Sequence, residues 1–202
     1  MLYTIQAVLD LTDPFDACIW AMCTCAFFGL MRFSEVTVKS SSSFSPRFHP
    51  TRADAQFRVD LDGRTYGKIT LPSAKTATPG EKQDIFLVEE SKQLCPLRAL
   101  NNMALITPVA ASDPLFSWRD RKGHIRPISR KAALDKINTI LRSNGFGTSF
   151  GHSFRIGGAS FYLAQGVNSD IVRIAGRWKS LVFQLYIRSF EQIASRYLAR
   201  LT

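Results

Sequence analysis

His152 and Arg155 stand three residues apart in the string Gly151-His152-Ser153-Phe154-Arg155-Ile156-Gly157-Gly158-Ala159-Ser160, which reads as the start of a helix over 151–165, stopped by Gly166. At that spacing the two side chains share a face, with His152 near the positive N-terminal end. Two donors and a helix dipole aimed at one point suit a single phosphate group. A chance pair on a helix explains the same spacing. Two further strings hold groups able to do chemistry. Gly29-Leu30-Met31-Arg32-Phe33-Ser34-Glu35-Val36 places Arg32 and Glu35 just past an apolar segment, where a helix-end ion pair also accounts for them. Gly176-Arg177-Trp178-Lys179-Ser180 leads into Leu185-Tyr186-Ile187-Arg188, with Trp178 and Tyr186 eight residues apart, close to two turns if the intervening chain is helical. Core packing for Trp178 and an ordinary amphipathic anchor for Tyr186 are the plain alternatives.

These residues need a frame, and the sequence predicts a mostly helical one. A first helix is expected over 2–11, followed by a Thr12-Asp13-Pro14 start signal. The segment 15–29 is apolar nearly all round and reads as a buried central helix that delivers Arg32, Ser34 and Glu35 at its end. A serine run, Ser40–Ser43, with Pro46 and Pro50, is loop. Residues 56–61 and 65–71 alternate as strands about a two-residue Asp62-Gly63 turn, and 84–88 supplies a third strand. Helices follow at 96–106, from Ser129 to Gly145, at 151–165, and from Asn168 to Gly176, with helical material from Ser180 onward. The fold class is α+β, mostly α, with a small three-stranded antiparallel sheet.

Composition narrows the partner. The 202 residues include 26 Lys and Arg against 16 Asp and Glu, a formal net charge of +10. Residues 1–101 carry 11 basic and 11 acidic side chains, whereas 102–202 carry 15 and 5. An excess lodged in one half fits a polyanion footprint better than general solubility. The stretch from Arg119 to Lys131 is its densest part: Arg119, Arg121, Lys122, Arg126, Arg130 and Lys131 oppose only Asp120, with Trp118 beside them. It reads as backbone contact to duplex DNA, and otherwise as a solvated face. An apolar content of 46% and a charged fraction of 21% exclude disorder. Cys18, Cys23, Cys25 and Cys95 form no zinc-type spacing and read as buried thiols in a reducing compartment. The longest apolar stretch stops at Arg32, short of the ~20 residues a membrane span requires.

Taken in order, these strings, together with Leu71-Pro72-Ser73-Ala74-Lys75-Thr76, resemble the catalytic domain of tyrosine recombinases, the phage-integrase superfamily of DNA strand-exchange enzymes. The resemblance covers nearly the whole chain, and its Ser-Ala-Lys-Thr loop and Gly-Arg-Trp plus Leu-Tyr ending look most like recombinases of fungal mobile elements such as Cryptons. It implies that Arg32 and Arg155 clamp the scissile phosphate, that His152 belongs to an H-x-x-R motif, and that Trp178 donates its indole N–H to a phosphate oxygen. It implies Lys75 as general acid toward the leaving 5′ oxygen, Glu35 as an acidic group orienting its neighbours, and Tyr186 as the nucleophile. A 3′-phosphotyrosyl intermediate would conserve the phosphodiester bond energy, so rejoining needs no ATP. Fixed cations can meet the charge of the transition state, typically ~3–4 kcal/mol per donor, so no metal or other cofactor is expected.

The resemblance also implies double-stranded DNA as partner, a homo-oligomer (a tetramer) on that DNA, no membrane, and the nucleus in a eukaryotic host or the nucleoid otherwise. Family members carry a preceding helical clamp domain; residues 1–202 are expected to form the catalytic domain, with that N-terminal domain absent. Two other functions compete with site-specific recombination or integration. A type IB topoisomerase shares the catalytic arrangement but relaxes supercoils, and a domesticated element would bind DNA without cutting it.

Overall fold

In the computed structural model, residues 1–73, 81–90 and 93–179 are described. The chain runs through α1 (Leu2–Val8), α2 (Pro14–Phe28), α3 (Phe33–Val36), β1 (Ala55–Val59), β2 (Thr65–Leu71), β3 (Gln83–Val88), α4 (Pro96–Ile106), β4 (Ser117–Arg119), β5 (Ile125–Pro127), α5 (Arg130–Ser143), α6 (Ser153–Ala164) and α7 (Ser169–Ala175). This is the expected α+β class, mostly helical.

Local chemistry starts the helices. The Asp13 carboxylate accepts the N–H groups of Phe15 and Asp16, each at 3.0 Å, and Pro14 opens α2. Ser129 caps α5 through the Ala132 N–H, and Asn168 caps α7 through the Asp170 N–H. Once formed, α2 has no polar face, and nearly all of its residues are buried. Its one interior hydroxyl, on Thr24, is satisfied by donating to the carbonyls of Trp20 and Ala21. A helix with no wet side must be surrounded. α1, α4 and α6 flank α2, the sheet covers its C-terminal end, and the β4–β5 hairpin covers its N-terminal end, where Trp118 meets Phe15 edge-on at 5.0 Å. All four cysteines are buried free thiols in this core.

The three-stranded sheet is antiparallel in the order β1-β2-β3, with Ala55 opposite Ile69 and Ile69 opposite Ile85. Its inner face is Ile69, Leu71, Ile85 and Leu87, all buried. Three expectations need correction. The first hairpin closes not on two residues but through 60–64: Gly63 N–H donates to Asp60 O, and Asp60 N–H to Arg64 O, because the Asp60 side chain also takes the Asp62 and Arg64 N–H groups and holds the wider loop. The basic stretch conceals a second, two-stranded sheet, β4–β5. The first helix ends at Val8 rather than reaching Leu11, since Asp10 turns back to accept from Thr12. The helical material expected from Ser180 onward lies outside the described residues.

Contact between α6 and α2 is unusually close at Gly158. A Cβ there would stand 2.0 Å from the Phe27 carbonyl oxygen, a backbone atom at the end of α2 that cannot move alone. At Gly157 the nearest atom is a Phe27 ring carbon at 3.0 Å, which can turn aside. Gly158→Ala should therefore lower unfolding free energy by about 1–3 kcal/mol, and Gly157→Ala by clearly less, in urea titrations of the two variants; equal losses would contradict this packing.

Candidate active site

Two helices end in the same way, and their ends face each other. α2 closes with Gly29 at its C-cap and Leu30 in the left-handed region (φ 48°); Leu30 N–H donates to Phe27 O and Met31 N–H to Ala26 O. α7 closes with Gly176 at its C-cap and Arg177 left-handed (φ 58°); Arg177 N–H donates to Ile174 O and Trp178 N–H to Arg173 O. Both are Schellman terminations, in which the left-handed position is usually glycine. Here it is Leu30 and Arg177, and the turn throws the following residues, Arg32 on one side and Trp178 on the other, toward a common centre.

Arg155 occupies that centre. It is 6% exposed, on α6, and its Nη1 donates to Leu30 O at 2.7 Å while its Nη2 donates to Gly176 O. One guanidinium thus satisfies a carbonyl from each helix end, where the helix dipoles are negative. Its plane is covered by the Trp178 ring, 4.2 Å from the guanidinium carbon. Gly176 makes room for that ring, since a Cβ there would lie 1.5 Å from it. Burial first, and then the neighbouring Arg32 and Arg177, push the Arg155 guanidinium down to about 9. It remains a cation at neutral pH.

Glu35 holds the other two arginines. Its Oε2 accepts the Arg32 backbone N–H at 2.7 Å and Arg177 Nη2 at 2.6 Å; its Oε1 accepts Arg32 Nη1 at 2.9 Å. The carboxylate is buried, as is the Arg177 side chain, while the Arg32 side chain is 20% exposed. Phe33, next to Arg32, stacks on Phe154, next to Arg155, with centroids 6.0 Å apart. The exposed Arg130 guanidinium lies over the other part of this pair, 5.4 Å from the Phe33 ring. Three guanidinium groups and one carboxylate therefore sit together, with a fourth guanidinium at the rim. Such a cluster can bind a dianionic or bridging phosphate through charge-assisted bonds without a metal ion.

The structure brings together Arg32, Glu35, Arg155 and Trp178. It leaves His152 exposed and Arg155 buried. α6 starts at Ser153, so His152 is its exposed N-cap residue, while Arg155 turns into the core to reach two carbonyls. Lys75 and Tyr186 lie outside the described residues. The basic stretch divides. Arg130 is beside Phe33, and Lys131, next to it, pairs with Asp135 at 2.5 Å. Arg119, Arg121, Lys122 and Arg126 belong to the β4–β5 hairpin at the N-terminal end of α2, on the order of 20 Å along that 15-residue helix from Arg32. Within the hairpin, Arg119 donates to Gly123 O and Pro108 O, and Arg126 pairs with Asp120 at 2.8 Å, leaving Arg121 and Lys122 exposed at the tip. Sequence reasoning missed Arg177. Its neighbours Gly176 and Trp178 carry a signal in the sequence, but nothing in residue type marks a left-handed arginine.

No protein-family model and no curated protein matches the sequence. Solved structures do. The XerH site-specific recombinase bound to difH, in a pre-cleavage complex, superposes with a TM-score of 0.60 at 16% identity over 97% of this chain and 51% of that chain. The FLP recombinase–Holliday junction complex I gives 0.57 at 13% identity over 89% and 41%, and a Flpe–Holliday junction complex 0.58 at 12% over 89% and 42%. The chain therefore has the fold of a tyrosine recombinase catalytic domain, and spans about half the length, or less, of the recombinases it matches.

Because Arg155 satisfies two buried carbonyls at once, a single-headed cation cannot replace it. Arg155→Lys should lower stability by about 1–3 kcal/mol through the carbonyl left without a donor, read as a fall in denaturant midpoint; an unchanged midpoint would show that the bridge contributes nothing.

Proposed function

We propose that this chain is the catalytic domain of a tyrosine recombinase of the phage-integrase superfamily, of the type found in fungal mobile elements, acting on double-stranded DNA as a homo-oligomer. The observation that carries the reading is the cluster of Arg32, Arg155 and Arg177 around Glu35 at the meeting of two helix ends, in a fold shared with site-specific recombinases. The cluster holds more positive than negative charge, and Trp178 closes one side of it.

In this reading Arg32 and Arg155 hold the non-bridging oxygens of the scissile phosphate, and Trp178 adds an indole N–H. His152, exposed at the α6 N-cap, approaches the same phosphate from the solvent side. The Tyr186 oxygen attacks phosphorus as its phenol proton passes to solvent, forming a phosphotyrosyl ester at the 3′ end as the bond to the 5′ oxygen breaks. Lys75 gives that oxygen its proton. The reverse attack, by a 5′-hydroxyl from the same or another strand, returns the proton and restores the phosphodiester. The bond energy is held in the tyrosyl ester throughout. In a eukaryotic host the work is nuclear. Arg130, exposed against Phe33, extends the cationic surface along the backbone of the same duplex.

Incubated with a nicked duplex that traps the cleaved strand, the protein should give a covalent 3′-linked adduct on a denaturing gel, and Tyr186→Phe should abolish it. An adduct that survives Tyr186→Phe would remove that residue as nucleophile; no adduct from wild type on any duplex would leave a DNA-binding protein. DNA affinity should also fall steeply with salt, and Arg130→Ala should flatten the slope of log affinity against log salt by about 1. A slope unchanged by Arg130→Ala would take Arg130 off the phosphate face.

A further inference from the structure

Arg177 has no assigned part in the chemistry above, yet its placement is costly to maintain. It occupies the left-handed position of a Schellman termination, where glycine is favoured and a side chain is strained. Its side chain is 8% exposed, turned toward Glu35 rather than solvent, and its Nε is buried without a hydrogen-bond partner among the described residues. Burial pushes its guanidinium down, and the Glu35 charge counters that. A strained backbone and a buried cation persist only where something else requires them.

We infer that Arg177 is a positioning residue for Arg32: by taking one oxygen of the Glu35 carboxylate, it restricts the Arg32 side chain to the other oxygen and so sets how Arg32 meets a phosphate. The inference rests on the phosphoryl-transfer reading above. A carboxylate and a guanidinium left to themselves favour two parallel bonds, which hold the cation flat against the anion. Here Oε2 already accepts Arg177 Nη2 at 2.6 Å and the Arg32 backbone N–H at 2.7 Å, so the Arg32 side chain reaches Glu35 through Oε1, from Nη1 at 2.9 Å. Without Arg177, Oε2 becomes available for a fork to Arg32, and the cluster of Arg32, Arg155 and Glu35 loses one positive charge. Arg32 is then drawn toward Glu35 at the expense of the phosphate. Arg177 acts through Glu35 and not on substrate.

Glycine at this position suits the backbone, so Arg177→Gly removes the guanidinium without straining the turn. With saturating nicked duplex, Arg177→Gly should slow adduct formation by about tenfold or more while DNA affinity stays within about threefold of wild type. The double variant Arg177→Gly/Glu35→Gln should be faster than Arg177→Gly alone, because the carboxylate that captures Arg32 has lost its charge. A rate for Arg177→Gly within about twofold of wild type, or a double-variant loss equal to the product of the single losses, would overturn the inference. Arg177→Lys, which keeps one charge and one donor group, should fall between wild type and Arg177→Gly, and it carries the comparison if the glycine variant does not fold. A second arm needs no cleavage: inorganic phosphate titrated against the Arg32 side-chain Nε–H signal by NMR. Wild type should bind, Arg177→Gly should bind about tenfold more weakly, and the double variant should recover. If wild type binds phosphate in this way but forms no adduct on any duplex, the recombinase reading fails and the Arg177 inference stands. Equal phosphate affinity in wild type and Arg177→Gly, or no phosphate response at Arg32 in wild type, overturns the inference whatever the adduct assay gives.

Discussion

A single buried guanidinium ties together the C-terminal ends of two helices, and the site depends on that tie. Arg155 donates to Leu30 O, just past α2, and to Gly176 O, at the end of α7. Helix ends leave carbonyls without partners, and burying them without donors is costly. One arginine answers both, and doing so fixes the distance between the segments that carry Arg32 and Trp178. The requirement reaches back into the core. α6 must bring Arg155 close to the end of α2, which is why Gly158 lies against the Phe27 carbonyl and why Tyr162, one turn further on, donates to Phe28 O at 2.9 Å. Phe33 and Phe154 then stack, so Arg32 and Arg155 are braced by adjacent aromatic residues. The whole arrangement hangs on α2, a helix with no polar face that every layer of the fold must cover.

Charge and chemistry occupy different places. The excess of basic residues lies in the second half of the sequence, yet Arg32 and Glu35 come from the balanced half. The basic hairpin of β4 and β5 stands at one end of α2 and the arginine cluster at the other. Its arginines are partly committed to shaping the hairpin, through Asp120 and the Gly123 and Pro108 carbonyls. Arg130 is different. It shares the basic stretch in sequence but belongs in space to the arginine cluster, because α5 starts beside α3: Arg130 N–H donates to Val38 O at 2.8 Å. Under the proposed function, long-range attraction and the grip on one phosphate are therefore separable properties.

The frame was largely legible in the sequence because its signals are local. Asp13-Pro14, Ser129 and Asn168 are cap residues whose side chains do what their types predict, and the alternation in 65–71 and 84–88 places one face of a sheet indoors. The β4–β5 hairpin was hidden because a run of charge masks a two-strand pattern only three residues long on each side. The spacing of His152 and Arg155 is legible, but their different exposure is not, because the buried Arg155 guanidinium follows the carbonyls that need it. Arg177 was illegible for a further reason. What makes it special is a positive φ and a contact with Glu35, 142 residues away, and neither leaves a trace in residue type or spacing.

Under the proposed function, the junction of the two helix ends is a phosphate site. The most direct measurement is a structure of the protein bound to nicked duplex DNA with orthovanadate, which mimics the pentacoordinate phosphate. Vanadate oxygens should lie about 3 Å from guanidinium nitrogens of both Arg32 and Arg155, with the Arg155 bonds to Leu30 O and Gly176 O still made. Vanadate bound elsewhere on the duplex, with Arg155 contacting only the two carbonyls, would contradict it.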